Sequence, residues 1–202
     1  PPPPPPSPTT VRGDETRRYT VRVRPRGPGQ PAHRRSLLEP GPFFGGDARL
    51  ARTAGAALDL GTAHAKERKI DDAVFVGSRL YPDMLPFSKQ IQIATDFARG
   101  TAARLAGVET PAVEDNEKTF AELTARIDST IAFLRTFQAA QIDGSETREI
   151  VRPIRGEPKK FTGINYLLQF ALPNFYFHLT TAYAILRHNG VPVGKLDYLA
   201  RA

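Results

Sequence analysis

The chain has 202 residues, enough for one domain with a core of its own plus an appendage. It contains no cysteine, which excludes disulfides, thiolate catalysis and cysteine-ligated zinc and agrees with a cytoplasmic setting. The formal net charge is +7, yet residues 1–46 hold eight arginines against three carboxylates while the remainder carries 20 basic and 18 acidic side chains, so the folded part is near neutral and is not expected to bind nucleic acid.

Residues 1–46 open on six prolines, mix proline, glycine and scattered arginine, and show no apolar period; they are expected to form a disordered tail. A short alternation at residues 19–24 has no partner segment and is assigned to the same tail. No charged stretch followed by an apolar one indicates a secretory signal. From residue 47 to residue 202 the pattern is that of one helical domain.

A first helix is predicted over residues 47–68, with Leu50, Ala54, Ala57, Leu58 and Ala65 as a weak apolar stripe and His64 at its edge. A helical turn at residues 71–78 leads to Tyr81-Pro82-Asp83. The second helix is predicted over residues 83–105, where Met84, Phe87, Ile91, Ala94, Ala98, Ala102 and Leu105 recur at three- and four-residue steps before Gly107. The third covers residues 116–138 on Phe120, Leu123, Ile127, Ile131, Leu134 and Phe137, and Thr119 with Glu122 has the spacing of a capping box. Over residues 146–162 the period drops to two, predicting a hairpin with its turn at residues 155–158 and Pro153 on an edge. The fourth helix takes residues 163–188, kinked or restarted at Pro173, with Gly190 as its left-handed cap. The expected fold is an all-α, up-down four-helix bundle with a small β-hairpin before the last helix.

Residues 166–186 carry no charge and are long enough to span a bilayer, but Gln169, Asn174, His178, Thr180 and Thr181 load the segment with polar groups. A central helix of a soluble bundle explains it better, and no membrane contact is expected.

That last helix also holds the best candidate site. At 3.6 residues per turn, Leu167, Asn174, His178, Thr181 and Ile185 share one side, so a polar patch interrupts an apolar stripe. Buried polar groups must be paired or hold something, because an unpaired one costs about 1–3 kcal/mol. His178 is either a core histidine bonded to a neighbouring helix or a group that binds ligand or moves a proton, since its unperturbed pKa is near neutrality. Asn174 either orients a substrate carbonyl or satisfies backbone freed by Pro173. Gln90 sits at the stripe edge of the second helix and within reach of the interior. Asp96 projects away from that stripe, a position for a solvated or interface carboxylate. Asp83 is expected to cap the second helix, and His188 to lie at the end of the fourth. Phe170, Phe175, Tyr176, Phe177 and Tyr183 cover several faces of the last helix, more than one bundle interior should absorb, which points to a homodimer.

Several blocks of the chain are similar to one known family. They are residues 66–70, Leu80-Tyr81-Pro82-Asp83-Met84, Gln90 to Asp96, Ala103-Arg104-Leu105-Ala106-Gly107, Thr119 to Leu123 and residues 171–194. Together they resemble a bacterial domain-of-unknown-function family, the one numbered nineteen-ninety-three, within the DinB/YfiT-like bundle superfamily. The resemblance implies that fold over residues 47–198. It also implies a possible divalent-metal site, since the superfamily includes metal-dependent transferases and isomerases that take one histidine from the second helix and a His-x-x-x-His pair from the fourth. Here His178 occupies the last of those positions, Asn174 stands where the paired histidine would be, and the second helix has no histidine.

The sequence therefore predicts a dimeric, cytoplasmic small-molecule-binding bundle with a pocket near Asn174, His178, Thr181 and Gln90, holding no metal. The alternative is a DinB-like enzyme of transferase, isomerase or hydrolase type with a degenerate site for zinc, nickel or iron, using His178 with Asn174, Gln90 or Asp96.

Overall fold

The computed structural model describes residues 50–199, so the expectations for the tail and for the start of the first helix lie outside the described residues. A π-helical stretch, Leu50–Gly55, runs into α1 (Ala56–Arg68), and a short α2 (Asp72–Gly77) follows, capped by the Asp71 carboxylate. The long α3 (Phe87–Ala106) and α4 (Phe120–Leu134) come next, then a short α5 (Ala139–Ile142) and the hairpin β1 (Glu149–Ile154) and β2 (Glu157–Thr162). The last long helix begins as a turn, α6 (Gly163–Asn165), widens to a π-helix at Tyr166–Ala171, and continues as α7 (Leu172–His188) before α8 (Lys195–Leu199). The result is the expected four-helix bundle with a two-stranded antiparallel hairpin ahead of its last helix.

Local chemistry explains most boundaries. Thr119 and Glu122 form both halves of the capping box, the hydroxyl accepting from Glu122 N–H and the carboxylate from Thr119 N–H. Gly107 and Gly190 close α3 and α7 at φ 74° and φ 84°, in the left-handed region that a side chain would resist. The α3 helix starts at Phe87, not at Asp83, and the exposed Asp83 precedes it. Pro86 is the reason: it biases Leu85 away from helical backbone and itself sits at the extended N-cap. The α4 helix stops at Leu134, short of Gln138, and Arg135 to Phe137 form a turn.

The hairpin turn is two residues, Arg155 at φ 53° and Gly156 at φ 86°, both left-handed as a tight antiparallel connection requires. Glu157 and Pro158 belong to β2. Pro153 stands opposite Pro158, one step beyond the pair that closes the turn. Such a pair exchanges no ladder hydrogen bonds, so neither missing N–H weakens the hairpin.

Pro173 does not kink the last helix at its own position. The chain widens one turn earlier, where Leu172 N–H donates to Leu167 O five residues back. Proline then falls in the first turn of α7, where no N–H is needed.

The core has two parts. Leu58, Phe75, Phe87, Ile91, Phe120, Leu123, Ile127, Leu179, Ile185 and Leu186 fill the space among the four helices. Leu105, Ile142, Ile150, Tyr166 and Leu167 pack where the hairpin folds onto the ends of α3 and the π-helix. At that junction a Cβ on Gly163 would collide with the Ser145 carbonyl, so only glycine lets the strand exit there. Among the described residues, no helix is long and apolar enough to cross a membrane.

Candidate functional site

The α3 and α7 helices lie side by side, and that pairing brings Gln90 and His178 together. Gln90 is 1% exposed. Its Nε2 donates to the Leu85 carbonyl at 3.0 Å, so its Oε1 faces α7 and meets His178 Nδ1 at 2.8 Å. An amide oxygen only accepts, so the imidazole carries its proton on Nδ1. Nε2 is then left as a lone pair with no protein partner among the described residues.

The ring is half-buried. It stacks on Phe97 at 6.3 Å between centroids and meets the edge of Phe177 at 5.2 Å. Burial pushes the imidazole pKa below its ordinary 6.5, because the charged form would lose water without gaining a counter-charge. His178 is therefore neutral at pH 7, with a fixed tautomer and one available basic nitrogen.

Asn174 and Thr181 flank His178 by one helical turn but spend their side chains on their own helix. Asn174 Nδ2 donates to the Phe170 carbonyl at 2.6 Å, and Thr181 Oγ1 donates to that of Phe177 at 2.8 Å. Phe97, which sequence reasoning passed over, completes the surroundings of the imidazole. Its place one helical turn beyond Ile93 on α3 carried no polar signal to draw notice.

Asp96 lies elsewhere on α3. Its carboxylate is paired at 2.8 Å with Arg126 of α4, whose side chain is only 2% exposed. That guanidinium also meets Asp115 at 3.0 Å and Glu117 at 2.9 Å, donates through Nε to Thr95 Oγ1 and reaches the Glu114 carbonyl. Arg126 sits inside the apolar stripe of its helix, between Leu123 and Ile127, and an arginine in that position was the sequence signal for a buried charge network. His64 packs edge-on against Phe75, and His188 is exposed at the end of α7.

Among the described residues, no three histidines, aspartates or glutamates stand close enough to hold a metal ion together. Around His178 the donors are one imidazole and one amide already bonded to each other, with Asp96 held by Arg126. This set does not fit the three-ligand arrangement that the resemblance implies.

Comparison with known proteins agrees with the geometry of the bundle. The profile of a family described as a domain of unknown function (DUF1993) matches residues 48–199. A crystal structure of a DinB family member protein from Shewanella denitrificans superposes with a TM-score of 0.74 at 40% sequence identity, covering 79% of this chain and 90% of that one. No curated protein matches this chain.

Proposed function

The chain belongs to the DUF1993 family, and from that premise we propose that it is a small-molecule-binding module whose recognition centre is the Gln90–His178 pair. One observation carries the reading: a neutral imidazole, fixed through Nδ1, offers an unpartnered Nε2 between aromatic rings. Such a nitrogen accepts a hydrogen bond from a ligand hydroxyl, amide or amine, and Phe97 and Phe177 supply an apolar wall for the rest of the molecule. Gln90 is the positioning residue, for it holds the ring in the orientation and tautomer that leave Nε2 free. A homodimer belongs to the same reading, with Phe177 and Leu168 as the apolar surface it would cover.

The test is a fragment screen by nuclear magnetic resonance with the imidazole nitrogens of His178 as reporters. Compounds that move Nε2 are expected to lose at least about tenfold in affinity in His178→Gln, the worth of one buried hydrogen bond. Compounds that bind the variant equally well would remove the site. Stoichiometric zinc, nickel or iron in unsupplemented protein, lost in His178→Ala, would replace the binding module with a metal-dependent enzyme.

A further inference from the structure

Where α3 ends against the hairpin, cations gather without counter-ions. The strand register sets Arg152 directly opposite Lys159, so the two side chains share a face. Arg152 alternates with Ile150 and Ile154 along β1, and the burial of Ile150 shows that this face turns toward the body of the protein. Arg104, in the last turn of α3, donates through a guanidinium nitrogen to the Tyr166 hydroxyl at 3.1 Å. Tyr166 is completely buried. Lys159 Nζ lies 5.6 Å over the ring of Phe161, which in turn packs on Tyr166 at 6.1 Å.

Two details mark this group as different from an ordinary basic surface. Arg152 Nε is sealed from solvent and has no hydrogen-bond partner, an unfavourable state for any donor and more so for a charged one. The helix also makes room for the Arg104 guanidinium: a Cβ on Gly100, one turn earlier, would collide with it. Burial depresses the Arg152 pKa, and the Arg104 charge depresses it further, against a smaller opposite pull from Tyr166. No carboxylate among the described residues forms an ion pair with Arg104, Arg152 or Lys159, whereas the buried Arg126 has three.

We propose that Arg104, Arg152 and Lys159 form a binding site for the phosphate group of a soluble small molecule. The buried Tyr166 hydroxyl accepts from Arg104 and so fixes the guanidinium in place beneath the site. Cationic donors arriving from α3, β1 and β2 suit a tetrahedral dianion better than a planar carboxylate. This site stands on different residues from the Gln90–His178 pair and does not depend on that reading.

Calorimetric titration of the full chain at constant ionic strength tests it, with inorganic phosphate, phenyl phosphate and acetate as probes and vesicles containing phosphatidylglycerol as a separate arm. Saturable phosphate and phenyl phosphate binding is expected, tighter than acetate, and weakened at least about tenfold in Arg104→Gln and in Arg152→Gln. Lys195→Gln, on the exposed α8, should bind as the unaltered protein does. Gly100→Ala keeps the helix and displaces the Arg104 guanidinium, so it should also weaken binding, and it decides the matter should either arginine variant fail to fold. The proposal is overturned by phosphate heats no larger than those of chloride, by full affinity in Gly100→Ala or in folded arginine variants, or by attachment to vesicles without binding of soluble phosphate.

Discussion

His178 is worth most as a neutral ring. Its folded pKa is lowered by burial, so the folded protein binds fewer protons at this position than the unfolded chain does. Stability therefore rises with pH across the interval where only the unfolded chain is protonated. The contribution is complete above the unfolded value of 6.5 and declines as the pH falls from there toward the lowered folded value. A nuclear magnetic resonance titration of the imidazole should give a midpoint below 6.5 with Nδ1 as the protonated nitrogen. Denaturant melts at several pH values should lose that slope in His178→Gln. A midpoint at or above the ordinary value would mean that the ring gains a counter-charge in solution. The sequence made this histidine visible as a polar break in an apolar helix. It also put Gln90 among the candidates for the same pocket, but not the bond between the two, since they lie 88 positions apart and only the pairing of α3 with α7 brings them into contact. The side chains nearest in sequence, Asn174 and Thr181, share the face but turn back to carbonyls of their own helix, a local choice that periodicity does not reveal.

Among the elements, the chain between α3 and α4 is held down chiefly by Arg126, with Arg99 donating to the Pro111 carbonyl at 3.2 Å and Lys89 paired with Asp115 at 2.9 Å. Arg126 uses all its donor nitrogens: Nε on Thr95, one terminal nitrogen on Glu114 and Glu117, the other on Asp96 and Asp115. Gln92 adds a bond to the second oxygen of Glu117 at 2.7 Å. Replacing Arg126 by Met keeps the volume but strands the carboxylates, above all the mostly buried Glu117. Loss of about 3 kcal/mol is expected, the lower end of the range for breaking a buried pair, because Asp96 and Asp115 keep access to water. Asp96→Asn should cost no more than about 1 kcal/mol, since its carboxylate is largely exposed. Equilibrium urea unfolding of both variants gives the comparison, and equal losses would show that the loop is held by something else. Long amphipathic stretches made α3, α4 and α7 legible, as did the Thr119–Glu122 box and the glycine caps. The ends of α4 were placed four residues too far out on each side, since the helix runs only from Phe120 to Leu134, and two further misplacements trace to proline. Pro86 delays α3 by four residues from the predicted start, and Pro173 acts through a widened turn upstream of itself.

On the scale of the whole molecule, aromatic rings join the two candidate sites. His178 stacks on Phe97, Phe97 meets Phe170 at 5.8 Å, and Phe170 contacts both Phe161 and Tyr166. This chain accounts for part of the aromatic surplus on the last helix. Phe175 is buried, Phe170, Tyr176 and Tyr183 are half-buried, and Phe177 stays 57% exposed. Phe177 and Leu168 alone bury far less than the roughly 800 Å² per partner of a standard interface. A dimer formed through them should therefore be weak: light scattering should show a mass between one and two chains that falls on dilution through the micromolar range. Phe177→Ser should shift the equilibrium to the single chain. A constant single-chain mass at every concentration would exclude the dimer.

The wide turn at Tyr166–Ala171 sets the azimuth of everything that follows it. One residue more than regular winding advances the rest of the helix by about 100° around its axis. Removing a single residue from that segment would restore an even spiral and swing the imidazole away from Gln90. Chain length in a stretch that never touches the ring thus decides whether the ring has a neighbour at all.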